Sequence, residues 1–287
     1  MRFKRFLSII ALGLNLLALN GAAAAEPTDA PRIITLSPHM TEMVYDLGLE
    51  EQLVARDDAS NYPKEVKNIP SIGSGLNPNK ELLLLYQPDI LLHFTSNIQL
   101  DNLFPAKKID VMASLPDTVP ALFDDWRMVL ARVQHDEKKL AATEAKINVV
   151  EAEWQSLVEV YKTKAPKKVF FLISEQPVFS LSDMTFLAQA VKGCHTENIF
   201  ANIKQPSFIV NPEELLLHTP DIVIHGYSAT DPNGKERAQQ SALTLFDSIG
   251  IKLRTEQLVT VDVDILHRPT LRFIKELPKV CEAIHRG

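Results

Sequence analysis

Short apolar runs alternate with amphipathic stretches along most of the chain. The runs RIITL and DILLHF have the length and the continuous hydrophobicity of buried strands, and helical patterns lie between such runs. In the first helical stretch Ser37 is the predicted N-cap, Pro38 the first residue, and Gly48 closes the helix. Strands that alternate with helices in this way predict parallel sheets with helical crossover connections.

One sequence pattern, which we call the repeated phrase, occurs twice, as NKELLLLYQPDILLHF from Asn79 and as NPEELLLHTPDIVIHG from Asn211. Each copy predicts a short helix, capped in the first copy by Asn77 or Asn79, then a proline stop and a buried strand. Each copy also places a Glu near the start of its helix, Glu81 in the first and Glu213 in the second. Two copies in matching positions predict two α/β lobes of similar construction.

The longest helical pattern lies between the two copies. From about Ala121 to Lys164 the chain has no glycine and no proline, and apolar residues recur at spacings of three and four. This length predicts two helices, the second one long. The final helical stretch contains Pro278, which predicts a break. The predicted organisation is a signal peptide, an N-terminal α/β lobe, a connecting helix and a C-terminal α/β lobe, at residues 1–25, 26–135, 136–164 and 165–287.

The first segment has the features of a secretory signal peptide. Basic residues in MRFKRF precede a short apolar core, and Ala23 and Ala25 fit an A-x-A cleavage site, so the mature chain is expected to start near Glu26 in the periplasm. A membrane anchor is the alternative, although the apolar core is short for a span. No cysteine lies near the cleavage point, so lipid attachment is not expected.

Composition and charge narrow the class of partner. The chain is 46% hydrophobic and 23% charged, as is usual for globular proteins, and its formal net charge of −6 becomes more negative once the basic leader is removed. An acidic surface argues against nucleic acid and against anionic lipid as partners.

The cysteines are few. Cys194 and Cys281 are the two cysteines of the chain, and in an exported protein such a pair favours one disulfide. Two free thiols or a metal pair are the alternatives. Zinc requires further Cys or His at close spacing, which the sequence does not offer, so no metal site is predicted.

The sequence contains no motif typical of an enzyme. Ser37 and His39 lie two positions apart, but neither a G-x-S-x-G nor an H-E-x-x-H motif is present, and the GSG at 73–75 lacks the lysine of a phosphate-binding loop. No catalytic residue is predicted, and an exported hydrolase is only a distant alternative. His93 and His225 end buried strands, where they either face a metal chelate or serve as hydrogen-bonded structural residues.

Four segments resemble the periplasmic binding proteins of metal-chelate ABC importers: RIITLSPHMTEMVYDLG, SNYP, LLLYQPDILL and HTPDIVIHG. The resemblance covers essentially the whole mature chain. It implies two α/β lobes with mostly parallel sheets, joined by a single long helix, with a ligand cleft between them. The segment CHTENIF, together with a cysteine in LPKVCEAI, is most similar to the corresponding segments of family members that bind cobalamin. That similarity implies a Cys194–Cys281 disulfide.

The resemblance also implies the cargo and its contacts. Cobalamin is the expected ligand, haem or a ferric siderophore is the alternative, and no resident cofactor is expected. The positions that carry aromatic rings in cobalamin binders are occupied here by Ala59, Gly73 and Ser207. Neighbouring rings that could replace them are Tyr62, Phe179 and Phe208.

The loop VDILHR is the best preserved part of the implied ligand site. It supplies Asp264, Ile265, Leu266, His267 and Arg268. Asp264 and Arg268 match a polar pair that faces the amides of the corrin ring. A structural ion pair within the loop is the alternative for these two residues.

The expected macromolecular partner is the permease dimer of the importer. In the family, one exposed Glu on each lobe docks against arginines of the two permease subunits, and Glu81 and Glu213 match those positions. Glu214 lies beside Glu213 and makes the second position less defined. The alternative is that both carboxylates only complement helix dipoles, an effect of about 0.3–1 kcal/mol each. The protein is expected to be a monomer.

Overall fold

The computed structural model describes residues 30–95, 103–104 and 108–286. The predicted signal peptide, residues 1–25, lies outside the described residues. The chain from Pro31 onward forms one compact unit. Among the described residues, no helix is both long enough and apolar enough to cross a membrane.

The N-terminal lobe is built on one parallel sheet with the strand order β2-β1-β3-β4. Every residue of its central strands is buried, as expected where helices cover both faces of a parallel sheet. The elements are β1 (Ile33–Thr35), α1 (Pro38–Asp46), β2 (Leu53–Arg56), α2 (Lys80–Tyr86), β3 (Ile90–His93), β4 (Asp110–Ala113) and α3 (Val119–Val133).

The C-terminal lobe follows the long helix α4 (Glu137–Tyr161) and repeats this plan. Its main sheet is parallel, with the order β11-β10-β5-β8, and a small antiparallel sheet has the order β6-β7-β9. The elements are β5 (Lys167–Leu172), β6 (Ser174–Glu175), β7 (Val178–Leu181), α5 (Phe186–Lys192), β8 (Thr196–Asn198), β9 (Ser207–Ile209), α6 (Glu214–Leu217), β10 (Ile222–Tyr227), α7 (Gly234–Ser248), β11 (Leu258–Asp262), α8 (Val263–Leu266) and α9 (Leu271–Arg286).

The predicted fold class is confirmed, since each half of the chain forms a mostly parallel α/β sheet. The two predicted helices between the halves are α3 and α4. One continuous cluster of buried apolar side chains includes Ile33 and Trp126 of the N-terminal lobe, Ile147 of α4, and Phe171 and Phe273 of the C-terminal lobe. A shared apolar core of this kind restricts relative lobe movement. The residues at which the lobes begin and end remain predictions.

The asparagine of each repeated phrase bonds the backbone close to the start of the helix that follows it. The side-chain oxygen of Asn79 accepts hydrogen bonds from the backbone N–H groups of Glu81, at 2.9 Å, and Leu82, at 3.1 Å. The side-chain oxygen of Asn211 accepts from the N–H of Glu213 at 3.2 Å. Asn79 is the N-cap of α2 and satisfies N–H groups that the first helical turn leaves without partners, whereas Asn211 closes a turn ahead of α6, whose N-cap position is Glu213.

The aspartate of each phrase ties the following strand to its neighbour. The Asp89 carboxylate accepts from the N–H of Arg32 at 2.8 Å, and the N–H of Asp89 donates to the Arg32 carbonyl at 2.9 Å. Asp221 and Lys168 form the same pair of bonds at the same distances. The repeat therefore encodes one structural unit: a short helix, a proline stop, and a strand whose register is fixed by the residue just before it.

The predicted disulfide is confirmed. Cys194 and Cys281 are bonded, with their Cα atoms 5.0 Å apart, and both are fully buried. The bond joins the end of α5 to the middle of α9 across 87 positions of sequence. His285 adds a hydrogen bond of 2.7 Å between its ring Nε2 and the Cys194 carbonyl.

One local prediction, the break at Pro278, was wrong, whereas the predicted N-cap position of Ser37 was confirmed. Pro278 does not break the last helix, because α9 continues through it and the buried side chains of Leu277 and Cys281 hold the helix against the core on both sides of the proline. Ser37 occupies the N-cap position of α1, but its side chain makes no capping bond. Its hydroxyl is buried without a partner among the described residues.

Replacing both cysteines, as Cys194→Ala with Cys281→Ala, should lower the free energy of unfolding by about 2–5 kcal/mol. The loss is expected because the unfolded chain of the variant has conformational freedom that the disulfide removes from the unfolded wild type. Urea denaturation of the oxidised wild type and of the double variant measures the difference. Alkylation of the unreduced wild type should label no thiol, and two labelled cysteines would contradict the bond.

Candidate functional site

A cavity of about 540 Å³ lies between the two lobes. Its N-terminal wall comes from the chain just after β1, β2, β3 and β4, and its C-terminal wall from α8 and the turn that follows β11. Ligands of open α/β sheets bind at the carboxyl ends of the strands, and the volume is typical of small-molecule sites. We call this cavity the cleft. Its walls include Ser37, His39, Asp57, Asp58, Ala59, Leu76, Phe94, Leu115, Val263, Asp264, His267 and Arg268.

The apolar part of the cleft wall is formed mainly by the N-terminal lobe. Leu76 and Leu115 line the cleft with 79% and 68% of their surfaces exposed, and Phe94 lies between them and the end of β3. The Phe94 ring contacts the ring of the buried His93, with their centroids 4.1 Å apart. Exposed leucines in a concave site offer flat apolar area that a ligand can cover.

The polar part of the cleft is acidic. Asp57 accepts a hydrogen bond from the Ala59 N–H at 3.0 Å and a short one from the Ser60 hydroxyl. Burial raises the pKa of Asp57, and these two hydrogen bonds oppose the rise. Asp58 and Asp264 also line the cleft. In the described part of the wall, three aspartates therefore line the cavity against one arginine, Arg268, which is paired with Asp264, and this balance favours a ligand that presents hydrogen-bond donors over one that presents carboxylates.

Beside the cleft the lobes are joined by what we call the inter-lobe clamp, formed by Glu42, Asn61, Asp264, Arg268 and Arg272. Glu42 of α1 accepts from Arg268 at 3.0 Å and from Arg272 at 2.7 and 3.1 Å. Asn61 donates to Asp264 at 2.8 Å and accepts from Arg268 at 2.8 Å. Arg268 also bonds Asp264 at 2.7 Å. Each of these side chains therefore belongs to one network that spans both lobes.

The clamp depends on the burial of Glu42. The residue is 2% exposed, so its carboxylate has almost no access to water. Burial raises the pKa of Glu42, while the charges and hydrogen bonds of Arg272 and Arg268 oppose the rise. A buried carboxylate stays charged only while its cationic partners remain in place. The charge of Glu42, on one lobe, is thus compensated entirely by the other lobe.

Four of the predicted ligand residues line the cleft: Ala59, Asp264, His267 and Arg268. Both readings of Asp264 and Arg268 have support, because the two residues face the cavity and also form an ion pair. Arg268 carries five N–H donors, and its bonds to Glu42, Asn61 and Asp264 engage three of them. The remaining N–H groups of Arg268 form no hydrogen bond with another described residue.

The substitute aromatic rings do not form the cleft wall. The Arg272 guanidinium lies 4.2 Å from the centre of the Tyr62 ring, which places Tyr62 at the edge of the clamp. Phe179 lies in β7 and pairs with Ile209 of β9, the strand that also carries Ser207 and Phe208. Phe208 packs edge-on against Phe200, with the ring centroids 5.5 Å apart. In this structure none of these residues borders the cavity.

Three further predicted ligand residues, Gly73, Ile265 and Leu266, lie outside the cleft wall. Gly73 has a φ of 84°, a conformation that favours glycine, and its carbonyl accepts from the N–H of the cleft residue Asp58 at 2.8 Å. Leu266 is 2% exposed and belongs to the core, and Ile265 is half-buried beside it. Their contribution to ligand binding remains a prediction.

Of the four histidines at or soon after the carboxyl ends of the described strands, two line the cleft and two do not. His39 and His267 line the cleft, His39 as a buried residue and His267 as an exposed one. His93 and His225 are bonded to the carbonyls of Thr95, at 3.0 Å, and Leu172, at 2.7 Å, and neither borders the cavity. Among the described residues, no group of three or more His, Cys, Asp or Glu could hold a metal ion.

Sequence reasoning missed Phe94, Leu76 and Glu42. Phe94 had a recognisable signal, because it directly follows a buried strand at the sheet edge where ligands bind. Glu42 gave no signal, since a single carboxylate on a short helix is usually solvated. The predicted docking residues Glu81 and Glu213 are both exposed, and neither forms a side-chain bond with another described residue.

His39 should make stability depend on pH. Burial lowers its pKa to about 4, although its Nε2 bonds the Ser114 carbonyl at 2.8 Å. Between about pH 6.5 and 4 the unfolded chain therefore takes up a proton that the folded chain does not, and stability falls as pH falls. When the pH is lowered from about 7.5 to about 4.5, the free energy of unfolding of the wild type should fall by about 2–3 kcal/mol more than that of His39→Gln. Urea denaturation at both pH values measures this, with the exposed His135→Gln as a control that keeps the wild-type slope. An unchanged slope in His39→Gln would contradict the assignment.

Removing the Glu42 charge should destabilise the protein. Glu42→Gln should lower the free energy of unfolding by about 3 kcal/mol, because both guanidinium groups lose the carboxylate they share. Urea denaturation measures the loss. Glu282→Gln, which removes the exposed partner of Arg286, is the matched control and should change stability little. Equal effects of the two variants would show that the clamp is not a buried network.

The chain matches known proteins over most of its length. The family model described as periplasmic binding protein matches residues 33–243. A vitamin B12-binding protein of Pectobacterium atrosepticum is 29% identical over 262 residues, which cover 88% of each chain. A vitamin B12-binding protein of Yersinia pestis is 31% identical over 198 residues, 68% of this chain and 69% of that one.

Solved structures show the same fold. The periplasmic vitamin B12-binding protein of Vibrio cholerae superposes with a TM-score of 0.70 at 24% identity, over 89% of this chain and 96% of that one. The periplasmic haem-binding protein of the same species gives a TM-score of 0.70 at 19% identity, over 89% and 99%. Two lobes with a cleft between them, and a family match over more than half of the chain, lead to one conclusion. The chain belongs to the periplasmic binding protein family, whose members are binding proteins that work with membrane permeases.

Proposed function

We propose that this protein captures cobalamin in the cleft and delivers it to the membrane permease of an ABC importer. The observation that carries the proposal is a small-molecule cavity whose walls come from both lobes of a periplasmic binding protein. The vitamin B12-binding relatives support cobalamin as the ligand. On this proposal the metal chelate is cargo, the protein holds no resident cofactor, and it has no enzymatic activity.

The chemistry of the cleft favours cobalamin over anionic chelates. Cobalamin carries neutral amide groups around its corrin ring, whereas haem carries propionates and many ferric siderophore complexes are anionic. Asp57, Asp58 and Asp264 would repel carboxylates but can accept hydrogen bonds from amides. Arg268 can donate to amide oxygens with the N–H groups that the clamp leaves unused. Leu76 and Phe94 would cover an apolar ring face.

Haem is the second candidate. His39 and His267 line the cleft, and imidazole is a common ligand of haem iron. Haem-binding proteins are also among the structural neighbours, although that likeness reports only the fold. The acidic wall makes haem the weaker candidate, because its propionates would lie near carboxylates with Arg268 as the one arginine of the described cleft wall to compensate them.

Location and docking complete the proposal. The protein acts in the periplasm as a monomer, after removal of residues 1–25 as a signal peptide. Glu81 and Glu213 dock on the permease, one on each lobe. Their exposure and their lack of a partner among the described residues support this role. Glu81 lies in the first turn of α2 and Glu213 occupies the N-cap position of α6, so helix-dipole stabilisation operates alongside docking.

Isothermal titration of the purified protein with cyanocobalamin, and in parallel with ferric haem, tests the ligand. Cobalamin should bind saturably, and haem should bind more weakly or not at all. Arg268→Ala should weaken cobalamin binding by about 1–3 kcal/mol if its guanidinium bonds the ligand. Glu42→Gln is the matched control, because it breaks the clamp without removing a residue of the cleft wall.

The outcomes separate the candidates. Equal losses in Arg268→Ala and Glu42→Gln would show that Arg268 acts only through the clamp. Saturable haem binding without cobalamin binding would replace the first candidate by the second. Binding of neither chelate would contradict the proposed function.

A further inference from the structure

Each repeated phrase leaves two leucines exposed beside its glutamate. Leu84 and Leu85 of α2 are 44% and 68% exposed, and Leu216 and Leu217 of α6 are 52% and 80% exposed. In the described chain thirteen large apolar side chains are exposed, and four of them lie on these two helices of seven and four residues. Single exposed apolar residues are common, but paired leucines at the same places of two lobes are not accounted for by chance exposure.

The fold does not require these leucines to be apolar. Leu83 of α2 and Leu215 of α6 are fully buried and anchor their helices to the lobes. A short amphipathic helix needs one such apolar face, and its solvent face is usually polar. The exposed leucines are therefore a feature of the surface rather than of the core.

Helical geometry joins the leucines to the predicted docking carboxylates. Leu84 and Leu85 follow Glu81 by three and four positions, and Leu216 and Leu217 follow Glu213 by the same spacings. Side chains three and four positions apart lie on the same face of a helix. Glu213 has helical backbone angles, φ −64° and ψ −25°, so this spacing also holds at the start of α6. Each lobe thus presents one carboxylate and two leucines on a common surface.

We propose that these two triads, Glu81 with Leu84 and Leu85, and Glu213 with Leu216 and Leu217, are matching docking surfaces in which leucines insert into apolar depressions of the permease dimer. We call them the docking surfaces. The inference rests on the proposed function and adds to it an apolar anchor beside each charge. The expected partner site is an apolar depression bordered by arginine or lysine, present once on each of two equivalent subunits.

Charge and symmetry select this partner. Two equivalent surfaces on one chain fit a partner that presents two equivalent surfaces, as a two-fold symmetric dimer does. A second copy of this chain is a poor partner, because two acidic docking surfaces would meet and like charges repel. An anionic lipid surface is disfavoured for the same reason, since each surface carries a carboxylate and Glu214 adds another on the second lobe.

The apolar contribution can be separated from the ionic one by salt. Leu85→Ser and Leu217→Ser should each weaken docking about tenfold or more, because each variant removes a side chain that is buried in the complex. This loss should persist between about 0.05 M and about 0.5 M salt, since burial of apolar surface is not screened. Glu81→Ala and Glu213→Ala should weaken docking mainly at the lower salt.

The experiment measures docking of the full exported chain on the vitamin B12 permease–ATPase complex from the same genome, held in nanodiscs. Val160→Ser, which removes an equally exposed apolar side chain from α4, is the matched control and should change affinity less than about twofold. Glu214→Ala is the control for Glu213→Ala. Thermal melting of each variant confirms that it folds, and cyanocobalamin titration confirms that the cleft is intact.

Several results would overturn the inference. Docking of Leu85→Ser with Leu217→Ser at wild-type strength would remove the leucines from the interface. Leucine-dependent binding to vesicles of phosphatidylethanolamine and phosphatidylglycerol would assign the surfaces to lipid, and leucine-dependent dimerisation would assign them to a second copy. A wild-type chain that binds cobalamin but does not dock also overturns it, with the ligand part of the proposed function intact. Loss of docking in the leucine variants supports the inference even if cobalamin does not bind.

Discussion

The arrangement of the two lobes depends on one buried carboxylate. Glu42 is almost inaccessible to water and receives both Arg268 and Arg272 from the other lobe. To separate the lobes, the protein would have to leave this charge without partners in a poorly solvated place, which is among the most unfavourable changes a folded protein can make. The width of the cleft at its base is therefore set by an ion-pair network within the protein, before any ligand contributes. The apolar core that runs through both lobes and α4 acts in the same direction.

This constraint explains why Arg268 has two roles that a sequence cannot separate. The same guanidinium faces the cavity and holds the lobes together, and its position in the cleft is fixed by Glu42, Asn61 and Asp264. An arginine held in place by the protein loses little side-chain entropy when it bonds a ligand. Rigidity at this point thus contributes both to the stability of the fold and to the preorganisation of the site.

Much of the fold could be predicted because its causes are local. The asparagine, proline and aspartate of the repeated phrase act on residues close by or at the start of a neighbouring strand, so their pattern is visible in the sequence. The clamp could not be predicted, since Arg272 lies 230 positions from Glu42 and no periodicity connects them. The aromatic residues failed for another reason. Phe208 was predicted from its nearness in sequence to the expected ring position, but in β9, which pairs with β7, its side chain packs against the core.

The pair of hydrogen bonds between Asp89 and Arg32 has a consequence for the cleft. It joins the residue just before β3 to the residue just before the neighbouring strand β1, and the helix α2 ends shortly before Asp89. The four residues of β3 then span about 13 Å and end at His93, next to Phe94 in the cleft wall. The outer helix α2, which carries Glu81, and the cleft residue Phe94 therefore lie at opposite ends of one short, fully buried strand whose position is fixed at its start.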